Sequence, residues 1–355
     1  MEKRADEGLA FLLQYENVAW YEEGSARILD RRVYPTDISF VTCCRHEEVA
    51  QAISDMVTQS AGPYTAAAMG MALAAWECRG KSAQAQMEYL SAAASVIANA
   101  RPTTAKRMRL ICDGCLYAAE AALAAGERVD LAIREHAVAA NNARYGKIDV
   151  MGKYLAERFP QNGTVMTQCF GETIVGMMLK HARLAGKKIH LFCPETRPYF
   201  QGARLTATVC RDMGFDVTVI TDNMPAFVME REHVDVFTCA ADAICLDGYV
   251  VNKVGTLQIS LAAKYWGIPV YVTGAPDYCH ETIDTVKIEE RDAAGVLEAL
   301  GSPTTGNGIK GFYPAFDKTP PELITGIVTD RGIYDPKKLW DYYNDNPAAK
   351  YEIVV

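Results

Sequence analysis

The chain has 355 residues, half of them hydrophobic and 23% charged, with a net charge of -8. Its length allows two ordinary domains, and its acidic balance excludes nucleic acid as the main partner, because neutralising phosphates takes clustered Lys and Arg. The charged start, Met1 to Leu9, lacks a signal-like apolar core, no apolar run reaches a membrane span, and the 11 cysteines are scattered, so a cytoplasmic protein with reduced thiols and no membrane partner is expected.

Strand-like segments at 27–33 and 38–44 are separated by the turn signal Tyr34-Pro35-Thr36-Asp37. Segments 46–58, 63–79, 82–99, 103–125 and 130–145 follow, rich in Ala, Leu, Met, Glu and Gln, with apolar residues at helical spacing. Cys112-Asp113-Gly114-Cys115 falls inside one of them with no second ligand pair nearby, so it reads as structural thiols. The six histidines are dispersed in sequence, and no metal is expected. From about residue 150 the pattern changes. Short apolar runs at 164–168, 188–193, 216–221, 234–239 and 269–273 alternate with helical stretches at 172–186, 201–213, 224–231 and 254–266. Gly186, Gly214 and Gly267 stand where helix C-caps are expected. The fold class is therefore α/β, with a doubly wound parallel sheet over 149–355 and a mainly helical domain with short strands over 1–148.

Ligands of such a sheet bind beyond the carboxyl ends of its strands. There the chain places Cys169 and Glu172, then Glu195, Arg197, Gln201 and Arg204, then Asp222 and Asn223, then Asp242 with Asn252-Lys253, and finally Asp277. No G-x-G-x-x-G, Walker A or G-x-S-x-G sequence accompanies these strands, which disfavours a dinucleotide enzyme, a P-loop enzyme or a serine hydrolase. Cys169 precedes a helix expected to begin near Gly171, a setting that would let the thiol titrate near neutrality. Asp242 is flanked by Ala240, Ala241, Ala243 and Ile244, and desolvation there would keep it protonated. Asn252-Lys253 is expected to open a helix whose free N–H groups suit a phosphate.

Several stretches together resemble the 5-methylthioribose-1-phosphate isomerase family. They include Gln201-Gly202-Ala203-Arg204-Leu205-Thr206-Ala207, Thr221-Asp222-Asn223-Met224, Ala241-Asp242 and Asn252-Lys253-Val254-Gly255-Thr256. Pro314-Ala315-Phe316-Asp317-Lys318-Thr319-Pro320 continues the likeness, as do Leu29-Asp30-Arg31-Arg32, Ala52-Ile53-Ser54-Asp55-Met56-Val57 and Arg101-Pro102-Thr103. The superfamily also contains ribose-1,5-bisphosphate isomerase and regulatory subunits of a translation-initiation exchange factor. The resemblance implies a Rossmann-like C-terminal domain, a homodimer, a role in methionine salvage, and a sugar-phosphate substrate handled without cofactor. It carries the catalytic pair onto Cys169 and Asp242, and substrate binding onto Arg101, Gln201, Asn252 and Lys253.

One departure concerns the family's Arg-Gly-Ala-Pro loop. Here the segment reads Gln59-Ser60-Ala61-Gly62-Pro63. Gln59, Ser60 and Ala61 inherit the phosphate-binding position without the guanidinium that would bind it bidentately. Phe170-Gly171-Glu172 likewise stands where Asn-Ala-Gly is usual. The expected reaction is conversion of a 5-substituted ribose 1-phosphate to its 1-phosphoketose, with 5-methylthioribose 1-phosphate as first choice. Asp242 is expected as acid and Cys169 as base, with the roles exchangeable. 5-Deoxyribose 1-phosphate and ribose 1,5-bisphosphate are the alternative substrates. A sugar-phosphate or nucleotide sensor without turnover is the alternative from another class.

Overall fold

The computed structural model describes residues 4–101 and 105–347, apart from the side chain at 106, so Pro102-Thr103 lie outside the described residues. Two compact units divide the chain, the first ending at Gly146 and the second beginning at Lys147. The division falls inside one long helix, Val129–Ala156.

In the first unit, a one-turn helix α1 (Tyr15–Val18) leads into an antiparallel sheet of β1 (Ala19–Glu22), β2 (Ser25–Leu29) and β3 (Phe40–Cys43). The β1 strand, which was not among the expected elements, is only four residues long and pairs with β2 across the two-residue turn Glu23-Gly24. Helices α2 (His46–Ser54), α3 (Gly62–Cys78), α4 (Ala83–Ala98) and α5 (Ala105–Ala125) follow, then α6 (Val129–Ala156). The α3 sequence is apolar on all sides, which marks a helix enclosed by neighbours. It packs against α2, α4, α5 and β1, burying Ala66 to Ala75 without a break. Its alanines cost little side-chain entropy on burial and let these helices approach closely. Cys112 and Cys115 are buried thiols of α5, both pushed up by burial, as structural cysteines are.

Polar groups in this unit's core close on one another. Tyr21 Oη donates to Asp130 Oδ2 at 2.7 Å, and Arg128 Nη2 reaches the same oxygen at 2.7 Å. His46, Glu47 and Glu77 bring possible metal-ligand atoms within 4.8 Å of one another, a grouping invisible in sequence spacing. The Glu77 carboxylate already accepts from His46 N, His46 Nδ1 and Tyr89 Oη, and Arg45 pairs with Glu47, so these groups satisfy each other.

The second unit is built on a seven-stranded sheet. Its elements in chain order are β4 (Asn162–Met166), α7 (Thr173–Leu184), β5 (Lys188–Pro194), α8 (Ala207–Asp212), β6 (Asp216–Ile220), α9 (Pro225–Arg231) and β7 (Val236–Ala240). Then come β8 (Ala243–Ile244), β9 (Val250–Lys253), α10 (Thr256–Trp266), β10 (Val270–Thr273), α11 (Ala294–Leu297), β11 (Glu298–Ala299), β12 (Ser302–Pro303), β13 (Phe316–Thr319), β14 (Gly326–Thr329), β15 (Gly332–Tyr334) and α12 (Trp340–Asn344). The main sheet runs β15-β14-β10-β7-β4-β5-β6, parallel except for the hairpin strand β15. The chain moves outward from β4 through β5 to β6, then crosses back to β7 on the other side of β4. That reversal is the topological switch point of a doubly wound sheet. A second small sheet, β13-β9-β8, stands beside it.

Candidate active site

Cys169 follows β4 and Asp242 follows β7, so the two strands that flank the switch point deliver the thiol and the carboxylate. Both turns leave ordinary backbone geometry. Cys169 has φ +58° and Glu172 φ +56°, and at the end of β5 Thr196 has φ +64° and Phe200 φ +56°. Left-handed backbone in non-glycine residues costs of order 1 kcal/mol each, and clusters at sites that need a side chain aimed. Thr206 Oγ1 donates to the Cys169 carbonyl at 2.5 Å and holds the first of these turns.

The thiol does not titrate where its position before a helix suggested. Burial pushes Cys169 up to about 11; Lys253 pulls against this, Asp242 adds to it, and Arg291 opposes it more weakly. The helix α7 begins only at Thr173, too far along the chain to offset burial. Cys169 is thus a protonated thiol at neutral pH. Asp242 departs from expectation in the opposite sense. It is exposed, with its backbone N–H bonded to Val251 O at 2.9 Å, so its alanine neighbours do not desolvate it.

Asn252 and Lys253 do not open a helix. They end β9, opposite Asp317 and Phe316 of β13, and both are buried. The following helix starts at Thr256, and its first N–H groups are already taken: Gly255 N and Leu257 N donate to the Asp317 carboxylate at 2.7 and 3.1 Å. That helix end holds an aspartate where a phosphate was expected. Burial pushes Asp317 up to about 6 against the pull of those N–H groups. Asn252 Nδ2 is engaged with Thr256 Oγ1 at 3.0 Å.

Lys253 has a different environment. Its side chain is buried, Nζ meets Tyr313 Oη at 3.1 Å, and the ammonium lies 5.1 Å from the Phe316 ring centre and 5.5 Å from that of Tyr313. Among the described residues no carboxylate comes within salt-bridge distance of it. Arg291 approaches the other cation-facing ring contact, 5.4 Å from the Phe316 centre, while Glu289 holds its Nε and Nη2 at 2.9 and 3.3 Å. Arg291 and Tyr313 were not legible as site residues. They lie in the long excursion between β10 and β13, which has no periodicity to place it.

Gln201 is buried at the start of the turn leading to α8, and its Oε1 has no hydrogen-bond partner. Gly202 beside it allows this: a Cβ there would lie 1.8 Å from Pro194 O. Gln168 Oε1, Thr173 Oγ1 and Thr238 Oγ1 are likewise buried without partners. In the first unit, Gln59 is buried, Ser60 is exposed with φ +56°, and Ala61 precedes α3. The fully buried Arg31 donates through Nη1 to Gln59 O at 2.6 Å, fixing this loop from beneath. Arg101 follows α4 and is partly buried.

A doubly wound α/β unit with a thiol and a carboxylate across its switch point, joined to a helical unit, defines the structural class. The chain belongs to the initiation factor 2 subunit family, whose profile matches residues 58–336. Its relatives include the methylthioribose-1-phosphate isomerase of Chloroflexus aurantiacus, 35% identical over 336 residues that make up 90% of this chain and 95% of that one. The isomerase of the same name from Thermosipho africanus is 35% identical over 92% of this chain and 95% of its own. Among solved structures, 5-methylthioribose 1-phosphate isomerase from Pyrococcus horikoshii OT3 superposes with a TM-score of 0.83 at 28% identity, covering 93% and 96% of the two chains. Translation initiation factor eIF-2B, subunit delta, from A. fulgidus gives 0.78 at 30% identity over 94% and 98%.

Proposed function

We propose that this protein is an aldose–ketose isomerase that converts 5-methylthioribose 1-phosphate to the corresponding ribulose 1-phosphate. The observation that carries the reading is Lys253, a buried ammonium with a phenol and aromatic rings around it and, among the described residues, no carboxylate to pair with. Lysines are rarely buried without a partner anion. A phosphate monoester supplies one, next to a thiol whose titration responds to Lys253 and Asp242. The isomerases named above support the choice of substrate.

The anomeric oxygen of an aldose 1-phosphate is esterified, so its ring opens only as the C1–O4 bond breaks with a proton delivered to O4. The protonated thiol of Cys169 fits that role as general acid, and the exposed Asp242 carboxylate fits the base, the reverse of the first assignment. Hydrogen then passes from C2 to C1. As hydride, it leaves the O2–H proton to Asp242; as a proton, it passes through an enol phosphate. On either route one proton enters at O4, one leaves O2, and a 1-phosphoketose results. Lys253 holds the phosphate, Gln201 accepts from a sugar hydroxyl, and Asn252 fixes the β9–α10 turn that presents Lys253. The reaction needs no cofactor or metal ion, and the protein works as a cytoplasmic homodimer.

A proton and phosphorus NMR time course with 5-methylthioribose 1-phosphate tests the reading. Loss of the anomeric signal with gain of a 1-phosphoketose is expected, and faster turnover of ribose 1,5-bisphosphate or 5-deoxyribose 1-phosphate would reassign the substrate. The likeness to an eIF-2B subunit favours a second reading, in which a sugar phosphate binds and is not converted. Binding without turnover in the same experiment would select it.

A further inference from the structure

Beneath Cys169 lies a small cavity of about 20 Å³, walled by Gln168, Thr167, Thr206, Thr238, Cys239 and Thr273 among others. That is space for about one water molecule. The polar groups on its wall are mostly spent. Thr167 Oγ1 turns to Cys193 Sγ at 3.4 Å, Thr206 Oγ1 to the Cys169 carbonyl, and Thr273 Oγ1 to Cys239 O at 3.3 Å. Thr238 Oγ1 has no partner among the described residues, and neither does one atom of Gln168. The Gln168 side chain is 4% exposed, Nε2 donates to Val254 O at 3.3 Å, and Oε1 has no partner among the described residues.

The orientation of this amide follows from its surroundings. Rotating it by half a turn would set Oε1 against the Val254 carbonyl, two acceptors in contact. Gly255 closes the other side: its φ is +106°, and a Cβ there would lie 3.1 Å from Gln168 Nε2. The unpartnered atom is therefore an acceptor held in place beside the thiol. A buried acceptor without a donor costs about 1–3 kcal/mol, a cost that a hydroxyl-bearing ligand would remove.

We propose that Gln168 is a substrate-positioning residue whose Oε1 accepts a hydrogen bond from the C3 hydroxyl of the sugar. The inference rests on the isomerase reading. The C2 oxygen is the one the acid–base pair must serve, and an amide oxygen cannot take its proton away. The neighbouring C3 hydroxyl needs only to be held, which sets the sugar's rotation above Cys169. Gln201 Oε1, the other unpartnered amide oxygen of this edge, is left for a second polar group of the substrate.

The test compares kcat/KM for 5-methylthioribose 1-phosphate and its 3-deoxy analogue in wild type and Gln168→Leu. Wild type should lose roughly 10-fold on removal of the hydroxyl, and Gln168→Leu should lose a similar factor with the parent substrate, chiefly through KM. The two losses should not multiply: Gln168→Leu should treat both substrates alike to within about two-fold. If the losses multiply, or if Gln168→Leu matches wild type, the contact does not exist and Oε1 is served by water. If Gln168→Leu does not fold, Gln168→Asn, which withdraws the acceptor by one methylene, takes its place under the same criteria. A wild type that turns over neither sugar overturns the isomerase reading itself, a result visible before any variant is made.

Discussion

Two polar clusters of the first unit and the sheet edge of the second use buried polar groups in opposite ways, although the first unit also buries an unpartnered Thr58 Oγ1 among the described residues. In the first, Tyr21, Asp130 and Arg128 close on one another, as do His46, Glu77 and Tyr89, and the alanine-rich α3 fills the space between its neighbours. In the second, the carboxyl edge of the sheet holds Gln168, Thr173, Gln201 and Thr238 with atoms unbonded and a lysine without an acid among the described residues, and a row of left-handed turns. A core that satisfies itself gains stability. An edge that does not gives up part of that stability and keeps its groups ready for a ligand.

The sharpest way to break this contrast is at Cys169 and Asp242. Cys169→Ser or Asp242→Asn should lower kcat by about 100-fold or more, the low end for a lost general acid or base, while thermal unfolding stays close to wild type. Turnover within a few-fold of wild type would remove the pair from the mechanism. With the thiol as acid, kcat/KM should hold through neutral pH and fall as pH rises toward about 11, where Cys169 ionises. A fall centred near pH 7 would instead make the thiolate the active form.

Next in size is Lys253→Met. Loss of a charge-assisted contact of roughly 1.5–3 kcal/mol should raise KM by about 10- to 100-fold, and urea unfolding should show equal or greater stability, because a buried charge has gone. A destabilised variant with unchanged KM would make Lys253 a structural residue. In the first unit the signs reverse. Leu73→Ala, at a fully buried position of α3, should cost about 2–5 kcal/mol in urea unfolding and leave kcat per folded molecule unchanged.

The smallest effect concerns Asp317, raised in the fold to about 6 by burial. A carboxyl whose pKa is raised on folding stabilises the protein most below its unfolded value and loses that contribution as pH rises through the folded one. The melting temperature should therefore climb slightly as pH falls from 7 to 5. Asp317→Asn, which still offers an oxygen to Gly255 and Leu257, should flatten that slope; an unchanged slope would assign it to other groups.

Much of the second unit was legible because its strands are short apolar runs with helices between them. The expected runs at 188–193 and 216–221 match β5 (Lys188–Pro194) and β6 (Asp216–Ile220) closely. The short strands β8, β9 and β13 were not legible, since their pairing is nonlocal and Val250–Lys253 directly precedes a helix. That error placed Asn252 and Lys253 at a helix end and hid the aspartate, 60 residues onward, that occupies it. The thiol and the carboxylate were found through strand ends and resemblance, but their environments were not: burial and exposure depend on what the rest of the chain brings alongside. Arg291 and Tyr313 left no signal at all, because the segment that carries them is irregular.

The high titration point of Cys169 also bears on chemical durability. Peroxides and electrophiles attack thiolates, and a thiol that ionises near pH 11 presents very little thiolate at neutral pH. At neutral pH the residue on which turnover is proposed to depend thus meets oxidants mainly as the less reactive thiol.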